Sequence, residues 1–416
     1  MIVALAPVLI AIASFLLRIF KIASIKSLIF DEIYYVDGAR DLLKYGVEVS
    51  GNDPEFVVHP PVGKWLIGSG IKIFGDNPLG WRFATAIVGS LMILIVAAIA
   101  HRLFYSPLLT ALASALMAVD GLALVHSRTA LLDNFLAFFI LAATYFFIAR
   151  KYWWSGLFLG LALSTKWSAL YFIAAFGLIA LYRAFAHHTG RDLIRPTLNR
   201  IAAFGILPLA VYLTSWWGWF ASDRGWDRNH SGNVISSFIF YHSEMLNFHT
   251  SLTSKHPYQA NPWSWLIMGR PTSFYYETPK SCGAASCSQE VLALGTPLLW
   301  WLGTIAIAVV FGFWIRSFFT RRFDPAVTII VAGIAAGYLP WFFFQERTVF
   351  SFYAIIFEPF LILALVYCAR AIKNLYVIGS LFILIAINFI YFLPVYLGTV
   401  TTYEAWHAHM WFASWI

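Results

Sequence analysis

Residues 80–101 read GWRFATAIVGSLMILIVAAIAH, an apolar run in which Arg82, near the start, carries the only full charge. A helix needs about 20 predominantly apolar residues to cross the hydrocarbon of a bilayer, and its backbone polar groups must be satisfied within the segment. The stretch therefore predicts a transmembrane helix. Similar apolar runs occur on both sides of it along the chain.

The composition of the whole chain agrees with a membrane protein. Of its 416 residues, 60% are hydrophobic and 12% are charged, whereas soluble domains carry about 25% charged residues. So little charge cannot cover the surface of a soluble protein of this size. A cytosolic enzyme, a disordered chain and a nucleic-acid-binding protein are thereby excluded, despite the net charge of +8. We expect an all-α polytopic membrane protein.

The apolar segments predict about eleven transmembrane helices. They lie near residues 2–20, 80–101, 107–124, 133–149, 154–182 (a closely spaced pair), 201–219, 291–315, 325–343, 351–368 and 376–396. Two long polar stretches, 21–79 and 220–290, interrupt the series, and 291–416 forms a C-terminal four-helix part with a short tail. We expect residues 1–416 to form a single membrane domain.

Basic residues are concentrated in the short loops of one side of the membrane. Against Asp192 and Asp324, that side carries Arg102, Arg150, Lys151, Arg183, Arg191, Arg195, Arg200, Arg316, Arg321, Arg322, Arg370 and Lys373. The positive-inside rule predicts that this side is cytoplasmic. The N-terminus is then cytoplasmic, both long polar stretches and the C-terminal tail lie outside, and we expect the protein in the plasma membrane.

The first long external stretch contains two amphipathic segments. In residues 33–45, apolar side chains recur at helical spacing on one face, and residues 61–74 begin with a proline that suits a helix start. Both segments predict interfacial helices that lie on the membrane. The alternative is that they are plain connectors.

Two adjacent carboxylates, Asp31 and Glu32, follow the first predicted span. Carboxylates beside a membrane surface suit a general base, or a site for a cation or a sugar. The alternative is a cap for helix 33–45, because acidic side chains favour the positive end of a helix dipole.

Basic side chains near the outer membrane surface suit the phosphate of a lipid headgroup. His59 and Lys64 flank two prolines in FVVHPPVGKW, and Arg18 and Arg82 lie near the outer ends of their spans. Two guanidinium groups in one pocket would hold a phosphate through paired hydrogen bonds. The alternatives are a rigid turn with a lysine that reaches out to the interface, and arginines that serve only as membrane anchors.

Further charges occur in turns at the edge of the hydrocarbon, where an ionisable residue is expensive and therefore suggests function. Arg128 and Asp133 lie between two predicted spans, Lys166 lies at the tip of the short hairpin, and Arg347 lies in a later outer turn. We interpret the three cations as candidate phosphate ligands and Asp133 as a second carboxylate. The structural alternative is an ion pair between Arg128 and Asp133.

The second long external stretch combines aromatic and polar side chains. The segment HPYQANPWSWLIMGRP supplies His256, Tyr258, Trp263, Trp265 and Arg270. Aromatic faces pack against sugars and also lie well at a membrane interface, so a carbohydrate-binding surface and an aromatic belt both fit.

Two cysteines follow in the same external stretch. Cys282 and Cys287 lie outside the cytoplasm, where disulfides persist, so we expect a bond between them, with free thiols as the alternative.

Together these motifs resemble the protein O-mannosyltransferases, specifically the bacterial type with the GT-C membrane fold. The similar segments are IFDEIYYVDGARDLLKYG, FVVHPPVGKWLIG, NPLGWRF, HSRTALLDNFL, STKWSALYF, HPYQANPWSWLIMGRP, EVLALGTPLLWW and QERTVFSFYAIIFEPF. They occur in family order over essentially the whole chain, and the HPY…PWSW segment is the most specific. The stretch 220–290 lacks room for the large β-rich domain of eukaryotic members, which leaves acceptor recognition to this stretch and the first.

The resemblance implies transfer of mannose from polyprenyl-phosphate mannose to Ser or Thr hydroxyls of secreted or membrane proteins, on the extracytoplasmic face and with inversion, and association with the secretion translocon would fit. It implies that Asp31 is the general base, that Glu32 positions acceptor or sugar, and that Arg18 and Arg82 contact the lipid phosphate or the two carboxylates. No cofactor is implied. Asp31, Glu32 and Asp133 have the chemistry to hold a metal, but we expect none.

Two other functions compete with this one. A related glycosyltransferase would move a different lipid-linked sugar onto a glycolipid, and the HPY…PWSW segment argues against it. A transporter would place charges near the bilayer midplane, whereas these charges cluster at one face. A catalytically inactive partner of an enzyme is a third alternative.

Overall fold

The computed structural model describes residues 2–416, and helices dominate it. Numbered in chain order, they are α1 (Ile2–Ile19), α2 (Glu32–Tyr45), α3 (Val62–Phe74), α4 (Pro78–Phe104), α5 (Pro107–Ala118), α6 (Gly121–His126), α7 (Leu132–Ile148), α8 (Tyr152–Leu163), α9 (Ala169–His187), α10 (Ile194–Ile201), α11 (Leu207–Ser215), α12 (Trp217–Ala221), α13 (Val234–Ser251), α14 (Pro297–Thr320), α15 (Pro325–Tyr338), α16 (Glu358–Ala369), α17 (Leu375–Leu397) and α18 (Tyr403–Ala408).

Many of these helices suit a bilayer. Within residues 2–416, six helical segments are long and apolar enough to cross a membrane: Pro78–Phe104, Ala169–His187, Gly190–Ser215, Pro297–Thr320, Pro325–Phe343 and Leu375–Leu397. Shorter apolar helices are α1, α5, α7, α8 and α16. Each predicted span overlaps one of these helical segments. The number of times that the chain crosses the membrane stays a prediction.

Several predicted spans differ from the observed helices; the one at 351–368, for example, begins as a 3-10 helix over Ser351–Ile356 and becomes α-helical only at Glu358. The segment predicted at 107–124 breaks after α5, because the Asp120 carboxylate accepts hydrogen bonds from the backbone of Leu122 and Ala123 and starts the separate helix α6. The segment predicted from 291 begins at Pro297 instead, because residues up to Ala293 belong to a strand.

Short strands accompany the helices. They are β1 (Val49–Ser50), β2 (Asp53–Pro54), β3 (Thr272–Glu277), β4 (Cys287–Ala293) and β5 (Thr401–Thr402). The strands β3, β4 and β5 form an antiparallel sheet in that order. A disulfide joins Cys282 and Cys287 between β3 and β4. This sheet lies in parts of the chain that the sequence predicts to be external. The sequence does not predict the strands themselves.

The chain divides into two compact units. The first comprises the chain up to Phe30, Ala86–Thr129 and Lys255–Ile416. In it α14 packs against α16 and α1 against α5. Its interior contains the fully buried indole rings of Trp265, Trp300 and Trp415.

The second unit comprises Asp31–Thr85 and Ala130–Ser254. Its α8 packs against both α7 and α11. Gly156 permits the close approach of α8 to the turn before α11, because a Cβ there would lie 1.8 Å from the carbonyl oxygen of Ala203.

The helices predicted at 33–45 and 61–74 are present in the second unit as α2 and α3, which pack against each other. On α2 the side chains of Val36, Ala39 and Leu42 are buried as the apolar spacing predicts, whereas Ile33 and Leu43 of the same apolar set are 44% and 39% exposed. Gly46, with φ of 78°, ends this helix in the left-handed conformation that glycine adopts without strain.

Candidate active site

Asp31 lies at the start of α2 in the second unit and does not act as a helix cap. It occupies the residue before the helix, yet its side chain accepts no backbone N–H of the first turn. It accepts a hydrogen bond of 3.4 Å from the hydroxyl of Tyr35, one turn later. Asp31 thus stands at the positive end of the helix dipole without a capping hydrogen bond, and its half-buried carboxylate is available for other chemistry.

The surroundings of Asp31 raise its pKa from the ordinary value of 3.8 to about 6. Burial is the main cause, because it disfavours the charged form of the carboxyl. The ammonium of Lys166 lowers the pKa, the carboxylate of Asp133 raises it, and the hydrogen bond from Tyr35 lowers it. A carboxyl with a pKa of about 6 is ionised at neutral pH and remains basic enough to take a proton.

Lys166 and Asp133 form an ion pair. Asp133 lies in the first turn of α7, and Lys166 lies in the turn between α8 and α9. The ammonium is 3.0 Å from Oδ1 and 2.9 Å from Oδ2 of the carboxylate. Asp133 is almost fully buried, with 1% of its side chain exposed, whereas 11% of Lys166 is exposed. The pair thus presents a cation close to Asp31 while it satisfies a buried carboxylate.

Glu32, the neighbour of Asp31, is held by Arg82 of α4. Nε and Nη2 of Arg82 donate to Oε1 and Oε2 of Glu32, each over 2.7 Å. The backbone N–H of Ala130 donates to Oε1 over 2.8 Å. Both side chains are buried. The sequence left two partners open for Arg82, a lipid phosphate and the carboxylates of Asp31 and Glu32. In the structure Arg82 binds the carboxylate of Glu32, and this contact fixes the start of α2.

The segment HPPVGK packs beside the same group. A Cβ at Gly63 would lie 2.6 Å from Cδ2 of Leu132 and 3.1 Å from Cγ2 of Thr165. The N–H of Val62 donates to the carbonyl of Ser164 over 3.0 Å. Glycine at this position therefore lets α3 approach the start of α7 and the turn that carries Lys166.

Lys64 and His59 have partners within this unit. The ammonium of Lys64 is buried and lies 2.6 Å from Oε1 of Glu48. This burial corrects both interpretations of Lys64, because a lysine that reaches the interface or binds a lipid phosphate needs an accessible ammonium. His59 is half-buried, and its ring centroid lies 6.0 Å from that of Tyr35 and 5.4 Å from that of His249.

The other candidate phosphate ligands belong to the first unit. Arg18 is fully buried and bonds the hydroxyl of Ser14 on its own helix. Arg128 donates to the carbonyl oxygens of Arg18 at 2.7 Å and Phe20 at 2.8 Å, and so binds the carboxyl end of α1. Arg347 is half-buried in the segment that precedes α16.

The aromatic segment of the second external stretch also lies in the first unit. Trp265 is fully buried, and its Nε1 donates to the carbonyl of Ala260 over 2.8 Å. This burial corrects the assignment of Trp265 to a sugar-binding surface, whereas Trp263 is 62% exposed. Arg270 donates to the carbonyl of Ile416 over 2.7 Å and lies over the ring of Tyr258, with 5.0 Å to the ring centroid.

His256 packs edge-on against Phe350, with 5.0 Å between ring centroids. Its imidazole pKa is lowered by partial burial, which favours the neutral ring.

Comparison with known proteins identifies the family. Residues 73–223 match the family model described as dolichyl-phosphate-mannose-protein mannosyltransferase, and residues 234–415 match the C-terminal four-transmembrane region of protein-O-mannosyltransferase. A polyprenol-phosphate-mannose–protein mannosyltransferase of Mycobacterium tuberculosis is 32% identical, over 93% of this chain and 86% of the relative. The chain belongs to the protein O-mannosyltransferase family.

A second relative agrees with this assignment, and a solved structure shows the same fold. The polyprenol-phosphate-mannose–protein mannosyltransferase of Corynebacterium glutamicum is 33% identical, over 93% of this chain and 88% of the relative. The Saccharomyces cerevisiae protein O-mannosyltransferase Pmt1-Pmt2 complex bound to the sugar donor is 15% identical with a TM-score of 0.84, covering 100% of this chain and 93% of that chain. The predicted family and the GT-C membrane fold are therefore confirmed, and the protein is a glycosyltransferase that transfers mannose to proteins.

Two residues of this candidate site are not among those that the sequence predicts. Tyr35, the hydrogen-bond donor to Asp31, lies four residues after it, and this helical spacing was a usable signal. Glu48, the partner of Lys64, follows a turn, and nothing in its local sequence indicated the pairing.

The carboxylates of the site have cationic or hydroxyl partners. Glu32 binds Arg82, Asp133 binds Lys166 and Asp31 binds Tyr35. In the part of the chain that the structure describes, no cluster of three or more His, Cys, Asp or Glu side chains has an arrangement that would hold a metal ion.

Proposed function

We propose that this protein O-mannosyltransferase takes mannose from polyprenyl-phosphate mannose in the bilayer and transfers it, with inversion, to Ser or Thr hydroxyls of exported proteins. The reaction occurs at the extracytoplasmic face of the plasma membrane, and Asp31 is the general base. The names of the mycobacterial and corynebacterial relatives, which specify both the lipid donor and a protein acceptor, support this donor and acceptor.

The observation that carries the proposal is the environment of Asp31. Its carboxylate is half-buried, lies near an ion-paired ammonium and has a pKa of about 6. Asp31 takes the proton of the acceptor hydroxyl as the hydroxyl oxygen attacks the anomeric carbon of mannose. The bond between that carbon and the phosphate oxygen breaks, and polyprenyl phosphate leaves with the electron pair. One displacement inverts the configuration at the anomeric carbon.

The leaving phosphate requires positive charge nearby. Within the second unit, Lys166 supplies it, since its side chain is 11% exposed and both carboxylate oxygens of Asp133 hold its ammonium. We assign Lys166 to the phosphate and Asp133 to the orientation of Lys166. Arg128, Arg347 and His59 stay candidates for contacts with the donor, whereas Arg18 is fully buried and is excluded on the same ground as Lys64. His256, Tyr258, Trp263 and Arg270 stay candidates for contacts with the acceptor or sugar.

Glu32 has a positioning role in this proposal. Both of its oxygens accept hydrogen bonds from Arg82, and one also accepts the N–H of Ala130. A carboxylate so fully engaged fixes the first turn of α2 and thereby holds Asp31 in place.

Mannose transfer in bilayer nanodiscs tests the reaction and the base together. The full chain receives polyprenyl-phosphate mannose and a Ser/Thr-rich peptide, and mass spectrometry measures mannosylated peptide. Asp31→Asn should lower kcat about 10²–10⁴-fold, the usual contribution of a general base. Asp37→Asn on the same helix removes an exposed carboxylate and should leave kcat unchanged.

The outcomes separate the parts of the proposal. Full activity of Asp31→Asn would reject Asp31 as the base. Transfer only from a different sugar lipid, or only onto a glycolipid acceptor, would reject the proposed substrates.

A labelling experiment tests the proposed membrane orientation. Asp53→Cys in the exposed β2 strand should react with a membrane-impermeant maleimide added outside intact cells. Reaction only after the membrane is opened would reject the extracytoplasmic assignment.

A further inference from the structure

A cleft of about 530 Å³ lies in the first unit where α14 ends, α15 begins and α16 ends. Small-molecule sites typically have volumes of roughly 300–1,000 Å³. The lining includes Arg316 near the end of α14, Arg322 and Asp324 in the turn to α15, and Tyr367 on α16. None of these residues takes part in the proposed mannose transfer.

Two arginines and one acid line the cleft, so its lining carries a net positive charge. Arg316 and Arg322 are exposed, and neither forms an ion pair with any residue from 2 to 416. The carboxylate of Asp324 is already engaged, because Oδ1 accepts the N–H of Ala326 at 2.8 Å and Oδ2 accepts the hydroxyl of Tyr367 at 3.2 Å. Arg370 adds a further cation, 5.8 Å from the ring centroid of Tyr367.

Apolar side chains flank the same turn. Phe318 is 54% exposed, Phe319 is 85% exposed and Phe323 is 46% exposed. They stand at the end of α14, which is long and apolar enough to cross a membrane. Exposed phenylalanines next to arginines at the end of a spanning helix suit the boundary between hydrocarbon and headgroups. A soluble anion would make no contact with these phenylalanines, whereas the acyl chains of a lipid would pack against them.

We propose that this cleft binds the phosphodiester headgroup of an anionic phospholipid. The guanidinium groups of Arg316 and Arg322 donate to the phosphate oxygens, a geometry for which arginine is well suited. The acyl chains lie along Phe318 and Phe319. Basic pockets between transmembrane helices bind anionic headgroups in the same way. This inference depends on the membrane-spanning fold and is independent of the proposed catalytic residues.

Native mass spectrometry of the full-length protein tests the site, with phosphatidylglycerol as the probe and phosphatidylcholine as the neutral comparison. The variant R316Q/R322Q removes the two arginines that line the cleft. The control R191Q/R195Q removes two exposed arginines, one just before α10 and one in its first turn, and changes the net charge equally. Each cation near a membrane surface contributes about fivefold to anionic lipid binding, so R316Q/R322Q should bind phosphatidylglycerol about thirtyfold more weakly.

The expected pattern is retention of phosphatidylglycerol by the unmodified protein and by R191Q/R195Q, and its loss from R316Q/R322Q. Equal loss from both variants would mean a diffuse effect of charge and would overturn the site. Unchanged binding by R316Q/R322Q would also overturn it. Inorganic phosphate that displaces phosphatidylglycerol at equal concentration would reject a lipid ligand. Mannose transfer in phosphatidylcholine nanodiscs should be equal in all three proteins, which checks that the variants fold.

Discussion

Arg82 holds Glu32 through two parallel hydrogen bonds of 2.7 Å, and both side chains are withdrawn from solvent, with 2% and 0% of their side chains exposed. The pair joins α4 to the first turn of α2, next to Asp31. Arginine and glutamate in this geometry form a planar double contact that lysine cannot reproduce. The position of the proposed base therefore depends on a neighbour that takes no part in the chemistry.

Loss of one partner from this pair should destabilise the protein strongly. Glu32→Gln removes the negative charge that faces the buried guanidinium of Arg82, and we expect a loss of about 3–5 kcal/mol. Thermal unfolding in nanodiscs, followed by tryptophan fluorescence, measures it. Asp37→Asn, in an exposed pair with Arg40 on the same helix, should change stability by less than about 1 kcal/mol. Equal effects of the two substitutions would contradict a structural role for the buried pair.

Activity should fall at low pH because the proposed base becomes protonated. Burial raises the pKa of Asp31 to about 6, so the basic form prevails above that pH and declines below it. We expect the profile of kcat/KM to have an acidic limb near pH 6, since this parameter reports the ionisation of the free enzyme. A limb near pH 4, the ordinary range of an aspartate, would show that the essential group is in a different environment.

Two substitutions should move the acidic limb of the kcat/KM profile in opposite directions along the pH axis. Asp133 raises the pKa of Asp31 and Lys166 lowers it. Asp133→Asn should therefore shift the acidic limb to lower pH, and Lys166→Gln should shift it to higher pH. A purely structural role would reduce activity at every pH without moving the limb. The measurement is kcat/KM against pH for the two variants and the unmodified protein, and shifts of the same sign would contradict the electrostatic assignment.

The sequence predicts the parts of this site that are local and misses those that depend on tertiary structure. Asp31 and Glu32 stand side by side in a motif, and apolar periodicity is enough to place α2 around them. The ion pair of Lys166 with Asp133 joins positions 33 residues apart, so only the fold reveals it. Burial is also a tertiary property, which is why Trp265 resembled a surface aromatic residue.

The strand β4 illustrates a different limit. Only Leu294, Gly295 and Thr296 separate its sequence, CSQEVLA, from the apolar helix α14. A short apolar stretch fits a buried strand and a helix equally well, so periodicity could not place the boundary between them. The pairing with β3 and β5 decides it in the structure.

Removal of divalent metal should leave mannose transfer unchanged. The carboxylates nearest the proposed base are already neutralised, Glu32 by Arg82 and Asp133 by Lys166. A divalent ion would have to displace these cations. Assays with excess EDTA, and with magnesium or manganese restored, measure the requirement. Activity that EDTA abolishes and one of these metals restores would contradict the assignment of Lys166 as the positive charge at the phosphate.

Gly63 should tolerate no larger side chain, because it sets the distance between α3 and the turn that carries Lys166. A Cβ would lie 2.6 Å from Leu132, whose side chain is fully buried. Gly63→Ala therefore forces Leu132 to move at the start of α7, next to Asp133. Overpacking of this kind costs about 1–3 kcal/mol, and the displacement of Asp133 should lower kcat as well.

Gly312→Ala is the matched control. Gly312 lies within α14 and a Cβ there would meet no atom within 4 Å. Because alanine is the better helix former, this substitution should change stability by no more than about 1 kcal/mol and should leave kcat unchanged. Thermal unfolding and mannose transfer in nanodiscs measure both variants. If Gly63→Ala behaves like Gly312→Ala in both assays, close packing of α3 does not position Asp133 and Lys166.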